Sequence, residues 1–270
     1  MAVSGFKAKL GMAWQSRTWC KNWLAVTAAI ALRGALRGSV VHFHLRNGVK
    51  LSVPNEAMAT DPIFELFSAN IYRLPWQMSP ITVMDVGAHV GAFTLSLLSY
   101  YPRCVVWAFE PAADSFTWLT RNVQQNDLDD RVKMVNAAVN GRGGRGILYP
   151  AGSASCINSM VASPGDEGTG YEVECIAWDS ILRQFDHIDV VKMDVEGAEY
   201  DIVLNTPHEA WRCVDSLVME YHPVAGFRWN DLTETLMNAG LLLVGEMPLG
   251  PNLGLAWFSR HPGSWVSIAK

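Results

Sequence analysis

Between Ile81 and Phe258, short apolar runs alternate with helix-like segments, and this alternation limits the folds open to the chain more than any other feature. Ile81–Val86, Val105–Phe109, Val132–Val139, Ile188–Met193 and Ser216–Glu220 read as strands. Gly91–Tyr100, Ala113–Asn126, Ala198–Leu204 and Asp231–Ala239 read as helices, and Leu241–Val244 and Leu255–Phe258 as two more strands. Apolar strands separated by helical segments predict an α/β fold with a mostly parallel, doubly wound sheet and helices on both faces. Upstream, Val40–Leu45 and Val49–Val53 flank Asn47-Gly48, a hairpin signature. Asp61–Leu74 reads as a short helix stopped at Pro75. Gly141–Gly170 breaks the rhythm with eight glycines and four serines, and predicts a long loop placed to cover a substrate.

Charge divides the chain. Residues 1–55 carry eight basic residues (Lys7, Lys9, Arg17, Lys21, Arg33, Arg37, Arg46, Lys50) and no acid, whereas the remainder holds 13 basic against 26 acidic residues. The division predicts a basic helical N-terminal extension, residues 1–40, ahead of an acidic main domain over 41–270. The longest apolar run in the extension, Trp23–Leu32, is ten residues, and a bilayer span needs about 20. A signal peptide fits poorly, because the lead is long and Arg33 and Arg37 occupy the cleavage region. Phe6–Leu36 reads as a helix that either caps the domain or lies peripherally on an anionic membrane.

The five cysteines are scattered without a C-x-x-C pair, which excludes a zinc ribbon or iron–sulfur motif and fits a cytoplasmic location. An apolar fraction of 50% and a net charge of -5 exclude a disordered chain. Phosphate-loop, zinc-protease and serine-hydrolase motifs are absent, and no nucleic-acid partner is expected.

The sharpest local signal is Val83-Met-Asp-Val-Gly-Ala-His-Val-Gly91. A strand ends at Asp85 and turns through Gly87, Ala88, His89 and Gly91 into a helix, with glycine where the chain bends or approaches a ligand. Glu110 ends the next strand about 20 residues on, where doubly wound folds place the carboxylate that accepts from ribose hydroxyls. The pair points to an adenosine-containing cofactor. NAD sites use G-x-G-x-x-G ahead of a helix. That pattern occurs only at Gly141–Gly146, followed by Ile147-Leu-Tyr-Pro150, so the match reads as accidental. Asp85 suits a cofactor with a cationic end, as S-adenosylmethionine has. Asn136 and Ala137, after the third strand of the alternation, are expected near the adenine.

A second cluster lies farther along. Strand alternation puts Lys192 and Asp194 on one face, and a buried ammonium needs a carboxylate partner, either Asp194 or Glu220. Asp194, Glu196 and Glu199 also read simply as a favourable acidic first helical turn. Glu220 and His222 end the next strand. Asp194, His222, Glu220 and Lys192 form the catalytic set, with His222 a candidate general base. Asp194, Glu220 and His222 could alternatively hold Mg²⁺ or another divalent metal.

These residues resemble the FkbM-type S-adenosylmethionine-dependent methyltransferases. The resemblance runs through Met84–Gly91, Phe109-Glu-Pro111, Arg121–Asn126, Asn136-Ala-Ala-Val139, Trp178-Asp-Ser-Ile-Leu182, Lys192-Met-Asp-Val-Glu-Gly-Ala-Glu199 and Glu220-Tyr-His222, over roughly residues 41–245. His89 stands where the family usually has Asn, and Trp178 where it often has Leu. The resemblance implies a class I, Rossmann-like fold and O-methylation of a hydroxyl on a small-molecule acceptor: a sugar, glycolipid or polyketide-type natural product. Two rival functions are an NAD-linked oxidoreductase and a non-catalytic membrane- or partner-binding protein.

Overall fold

The structure, a computed structural model, describes residues 14–36, 38–69, 71–72, 79–149, 160 and 170–265. In chain order the elements are α1 (Trp23–Ala31), β1 (Val40–His44), β2 (Lys50–Pro54), α2 (Ala57–Phe64), β3 (Thr82–Val86), α3 (Ala92–Tyr100), β4 (Val105–Phe109) and α4 (Ala113–Gln124). There follow β5 (Val132–Val135), β6 (Ala138–Asn140), β7 (Gly144–Leu148), β8 (Tyr171–Ala177), α5 (Trp178–Leu182), β9 (Ile188–Met193), α6 (Glu199–Asn205), β10 (Val214–Tyr221), α7 (Trp229–Asn238), β11 (Leu242–Gly250) and β12 (Leu253–Ser259).

The main sheet has seven strands in the order β11-β12-β10-β9-β3-β4-β5. Strands β5, β4, β3, β9 and β10 are parallel, and β12 enters antiparallel between β10 and β11. Strand order reverses at β3, which lies between β4 and β9, and this switch point opens a crevice at the strands' carboxyl ends. This is the class I, Rossmann-like methyltransferase architecture. A second sheet, β6-β8-β7, flanks it.

Side-chain alternation gives each face its own core. Val83, Val106, Val190 and Val218 pack with Leu95, Leu98 and Leu119 of α3 and α4 and with the β1–β2 hairpin. Met84, Val191, Leu217 and Phe258 pack with Trp178, Ile202 and Leu232 of α5, α6 and α7.

Four sequence expectations change. The single helix over Phe6–Leu36 shortens to α1, because Cys20 forms an antiparallel bridge with Leu45 and ties the preceding turn to the hairpin. Residues 1–13 of that expectation lie outside the described residues. Helix α2 starts at Ala57 rather than Asp61, with Pro62 inside it; a wider π turn, Glu65–Ala69, follows. The stop at Pro75 lies outside the described residues. The strand over Val132–Val139 divides at Asn136-Ala137 into members of two sheets. The long loop is shorter than expected, because Gly144–Leu148 pairs antiparallel with Tyr171–Ala177; residues 150–159 and 161–169 lie outside the described residues. Gly141–Gly146 therefore leads into a strand, which a dinucleotide-binding turn does not.

Candidate active site

A cleft of about 560 Å³ opens at the carboxyl ends of β3, β4, β9 and β10. Gly87, Ala88, His89, Glu110, Ala137, Lys192, Asp194, Glu196 and Glu220 line it. Its apolar wall includes Met58, Leu66, Ile71 and Phe93.

Glu110 is buried, and both carboxylate oxygens face backbone donors: the His89 N–H gives to Oε2 at 2.8 Å and the Ala112 N–H to Oε1 at 2.9 Å. Each oxygen keeps a further acceptor site. Burial pushes the Glu110 pKa up to about 7 against the pull of those two N–H groups. His89 takes a left-handed backbone, φ +51°, which aims its N–H at Glu110. Burial and then the Lys192 charge lower the His89 pKa to about 4, so its ring is neutral.

Gly87 lines the cleft and packs against backbone. Its φ is +81°, and a Cβ there would come 1.8 Å from the Asp194 carbonyl oxygen. Gly91 is likewise left-handed, and its Cβ would meet Leu119 of α4 at 2.7 Å. Gly91 does not line the cleft; it seats α3 against α4.

Asp85 corrects the expectation of a direct cofactor contact. It is 0% exposed, beneath the cleft, where Oδ2 accepts from Thr94 Oγ1 at 2.6 Å and Oδ1 lies 3.2 Å from Lys192 Nζ. Lys192 also lies 3.8 Å from Asp194 Oδ2 and donates to the Gly87 carbonyl at 2.6 Å. The leading partner of Lys192 is thus Asp85, with Asp194 second, rather than Glu220. Burial works against the Lys192 ammonium, but Asp85 and then Asp194 outweigh it and hold its pKa above the usual lysine value.

Asn136 also differs from expectation. Its amide donates to the Glu110 carbonyl at 2.8 Å and the Pro111 carbonyl at 3.2 Å, so it braces the segment carrying Glu110. Ala137 does face the cleft.

His222 sits behind the carboxylates. Its Nδ1 is 2.9 Å from Glu199 Oε1, and its Nε2 is 3.2 Å from Glu196 Oε2 and 3.8 Å from Glu220 Oε1. Burial opposes protonation, yet Glu199 and then Glu196 and Asp194 overcome it and raise the pKa to about 10. An imidazolium at neutral pH cannot act as the general base expected from the sequence. Burial, followed by the Asp194 charge, raises Glu220 to about 8 and Glu196 to about 7, with His222 pulling the other way. A base whose pKa lies near the working pH is the efficient kind, which favours Glu220 in the cleft over His222 behind it.

Sequence reasoning missed Tyr72 and undervalued Glu196 and Glu199. The Tyr72 hydroxyl donates to Asp194 Oδ2 at 3.1 Å, and the Tyr72 carbonyl accepts from the Trp257 indole at 2.8 Å. Glu196 reaches His222 through a left-handed backbone, φ +53°, which no residue pattern announces. Asp194, Glu196 and His222 present atoms within 4.8 Å of one another, so the geometric trio with metal-like spacing includes Glu196 in place of Glu220. Asp194 Oδ1 is buried with no hydrogen-bond partner among the described residues.

Fold and cleft together define a class I methyltransferase: a switch-point crevice, a strand-end carboxylate and a tight turn beside them. Residues 85–240 match the family described as Methyltransferase FkbM domain. Methyltransferase sdnD of Sordaria araneosa is 27% identical over 194 residues, covering 61% of this chain and 75% of that one. The 31-O-demethyl-FK506 methyltransferase FkbM of Streptomyces tacrolimicus is 25% identical over 234 residues, covering 75% of this chain and 89% of that one. A solved FkbM methyltransferase from Methylobacillus flagellatus KT superposes with a TM-score of 0.45 at 16% identity, over 67% of this chain. The match spans only 44% of that solved chain. The chain belongs to the FkbM methyltransferase family.

Proposed function

We propose that the protein methylates a hydroxyl of a small molecule (a sugar, a glycolipid or a polyketide-type natural product) using S-adenosylmethionine. One observation carries the reading: Glu110, Asp194 and Glu220 stand along one cleft at the carboxyl ends of neighbouring strands. The name of the Streptomyces relative, which specifies an O-methyl position in its own substrate, supports the oxygen acceptor.

The residues fit the cofactor. Glu110 retains an acceptor site on each oxygen for ribose hydroxyls. Ala137, Val139, Phe109 and Leu148 offer an apolar wall for the adenine. Asp194, with its unpartnered Oδ1, replaces Asp85 as the carboxylate facing the cationic end. When bound, S-adenosylmethionine supplies an electrophilic methyl group beside a sulfonium. The chain's own contribution is placement, which can be worth roughly 7–11 kcal/mol when reactants are well oriented. Met58, Leu66, Ile71 and Phe93 shield the acceptor from water. Glu220 is the group that would accept the hydroxyl proton on methyl transfer, and the cation of His222 lowers the pH at which Glu220 becomes a carboxylate.

Calorimetry with S-adenosylmethionine, S-adenosylhomocysteine and NAD tests the cofactor, and labelled-methyl transfer to a panel of hydroxyl-bearing acceptors tests the reaction. Binding of NAD without S-adenosylmethionine would favour the oxidoreductase. Methyl label found only on nitrogen or carbon would overturn the oxygen acceptor.

A further inference from the structure

Helix α1, WLAVTAAIA, has no charged residue, yet Val26 is its one fully buried position. A helix apolar on every side is ordinarily enclosed. Here only one side is covered. Leu24 is 66% exposed and Leu32 55%. They stand eight residues apart and so share a face, with the exposed Ala25, Ala28 and Ala31 near them. Trp14, 57% exposed, and Leu36, 41% exposed, extend the apolar strip at either end.

The segment that carries the strip, residues 14–36, contains basic residues and no acid. Arg17 and Lys21 are exposed beside it, and the first acid in the chain is Glu56. The Arg17 guanidinium lies 3.6 Å from the centre of the Trp14 ring, a cation and an amphipathic aromatic at one level. A second copy meeting it strip to strip would set one basic segment against another. An anionic bilayer offers the opposite charge at its surface and hydrocarbon just below. No helix among the described residues is long and apolar enough to cross a membrane, so the contact is in the plane.

The strip is also firmly mounted. Arg33 donates to Thr60 at 2.7 Å and to Asn55 at 3.3 Å, and the Trp19 indole donates to Ser68 at 3.0 Å. These bonds join it to α2 and the π turn, which supply Met58, Glu65 and Leu66 to the cleft.

We propose that residues 14–36 seat the protein on an anionic lipid surface through the Trp14–Leu24–Leu32–Leu36 strip and its Arg17 and Lys21 border. The full chain should co-sediment with phosphatidylcholine vesicles containing phosphatidylserine and not with phosphatidylcholine alone, and salt should release it. Arg17→Ala and Lys21→Ala should each weaken binding roughly fivefold. The pair Leu24→Glu and Leu32→Glu should abolish it with an unchanged melting temperature, because both side chains are exposed. Absence of binding at low salt overturns the proposal. Wild-type binding by the double variant also overturns it. So does conversion of a dimer to a monomer by that variant without vesicle binding, which would make the strip a self-contact.

Discussion

Asp85 and Lys192 face each other in the register of β3 and β9, and their side chains meet at 3.2 Å beneath the cleft. Both are buried. The pair explains why a central parallel strand tolerates a lysine. The ammonium neutralises Asp85, leans towards Asp194 and ties down the Gly87 carbonyl, so one buried charge sets the floor under the Gly87–Gly91 turn. Removing one partner from such a pair leaves the other charge buried and alone. Lys192→Met should lower stability by roughly 3–5 kcal/mol in urea denaturation, and combining it with Asp85→Asn should recover part of the loss. Additive losses in the double variant would show that the two charges do not interact.

Glu110 makes a sharper test of cofactor binding. Glu110→Ala removes the acceptors proposed for the ribose and leaves the His89 and Ala112 N–H groups without their partner. S-adenosylhomocysteine affinity should fall by about 1.5–3 kcal/mol, the scale of hydrogen bonds to a charged group. Burial raises the Glu110 pKa to about 7, so the ionised acceptor is lost as pH falls through that value. Wild-type affinity should therefore weaken from pH 8 to pH 6 more than that of Glu110→Gln. Equal pH dependence would remove Glu110 from the ribose site.

Tyr72 acts through Asp194. Its hydroxyl holds Oδ2, while the Trp257 indole fixes its backbone carbonyl and an edge-on contact with Phe93 braces the ring. Tyr72→Phe keeps the ring and frees the carboxylate to rotate. Cofactor affinity and kcat should both fall, by an amount matching about 1–3 kcal/mol for a lost hydrogen bond to a charge, with little change in melting temperature. A loss of stability alone would assign Tyr72 a packing role only.

The parts of this molecule that could be read from residue types were those with a periodicity behind them. Val105–Phe109 and Ile188–Met193 are strands at those bounds because β-branched and apolar runs of that length have few alternatives in an α/β chain. Glu110 was legible because topology places it at a fixed distance from the glycine turn. Asp85 was legible as important, but its direction was not. Whether a strand-end carboxylate faces a ligand or a lysine depends on the pairing of β3 with β9, a contact between residues over a hundred positions apart. Tyr72 was silent because it lies beyond the end of a helical segment and acts through one long-range hydrogen bond. Glu196 was read as an acidic helical turn because its positive φ is imposed by the loop that brings it to His222.

The cluster of Glu196, Glu199, Glu220 and His222 predicts a particular pH behaviour. His222 titrates near 10 in the folded chain against 6.5 for a free imidazole. Its contribution to stability is therefore complete below pH 6.5 and is lost as pH rises through about 10. Glu220 must shed its proton before it can accept one, so turnover should rise as pH climbs through about 8. Glu220→Gln should cost about 10²–10⁴-fold in kcat with cofactor affinity little changed. His222→Ala should instead shift the ascending limb to higher pH, because Glu220 loses a neighbouring cation and keeps Asp194 beside it. The same arrangement bears on metal dependence. Both ring nitrogens of His222 already face carboxylates, with Glu199 at Nδ1 and Glu196 at Nε2, and a protonated imidazole has no lone pair for an ion. Turnover should survive exhaustive chelation. Loss of activity on chelation, restored by Mg²⁺ or Mn²⁺, would instead place a cation among Asp194, Glu196 and His222 and make the carboxylates its ligands.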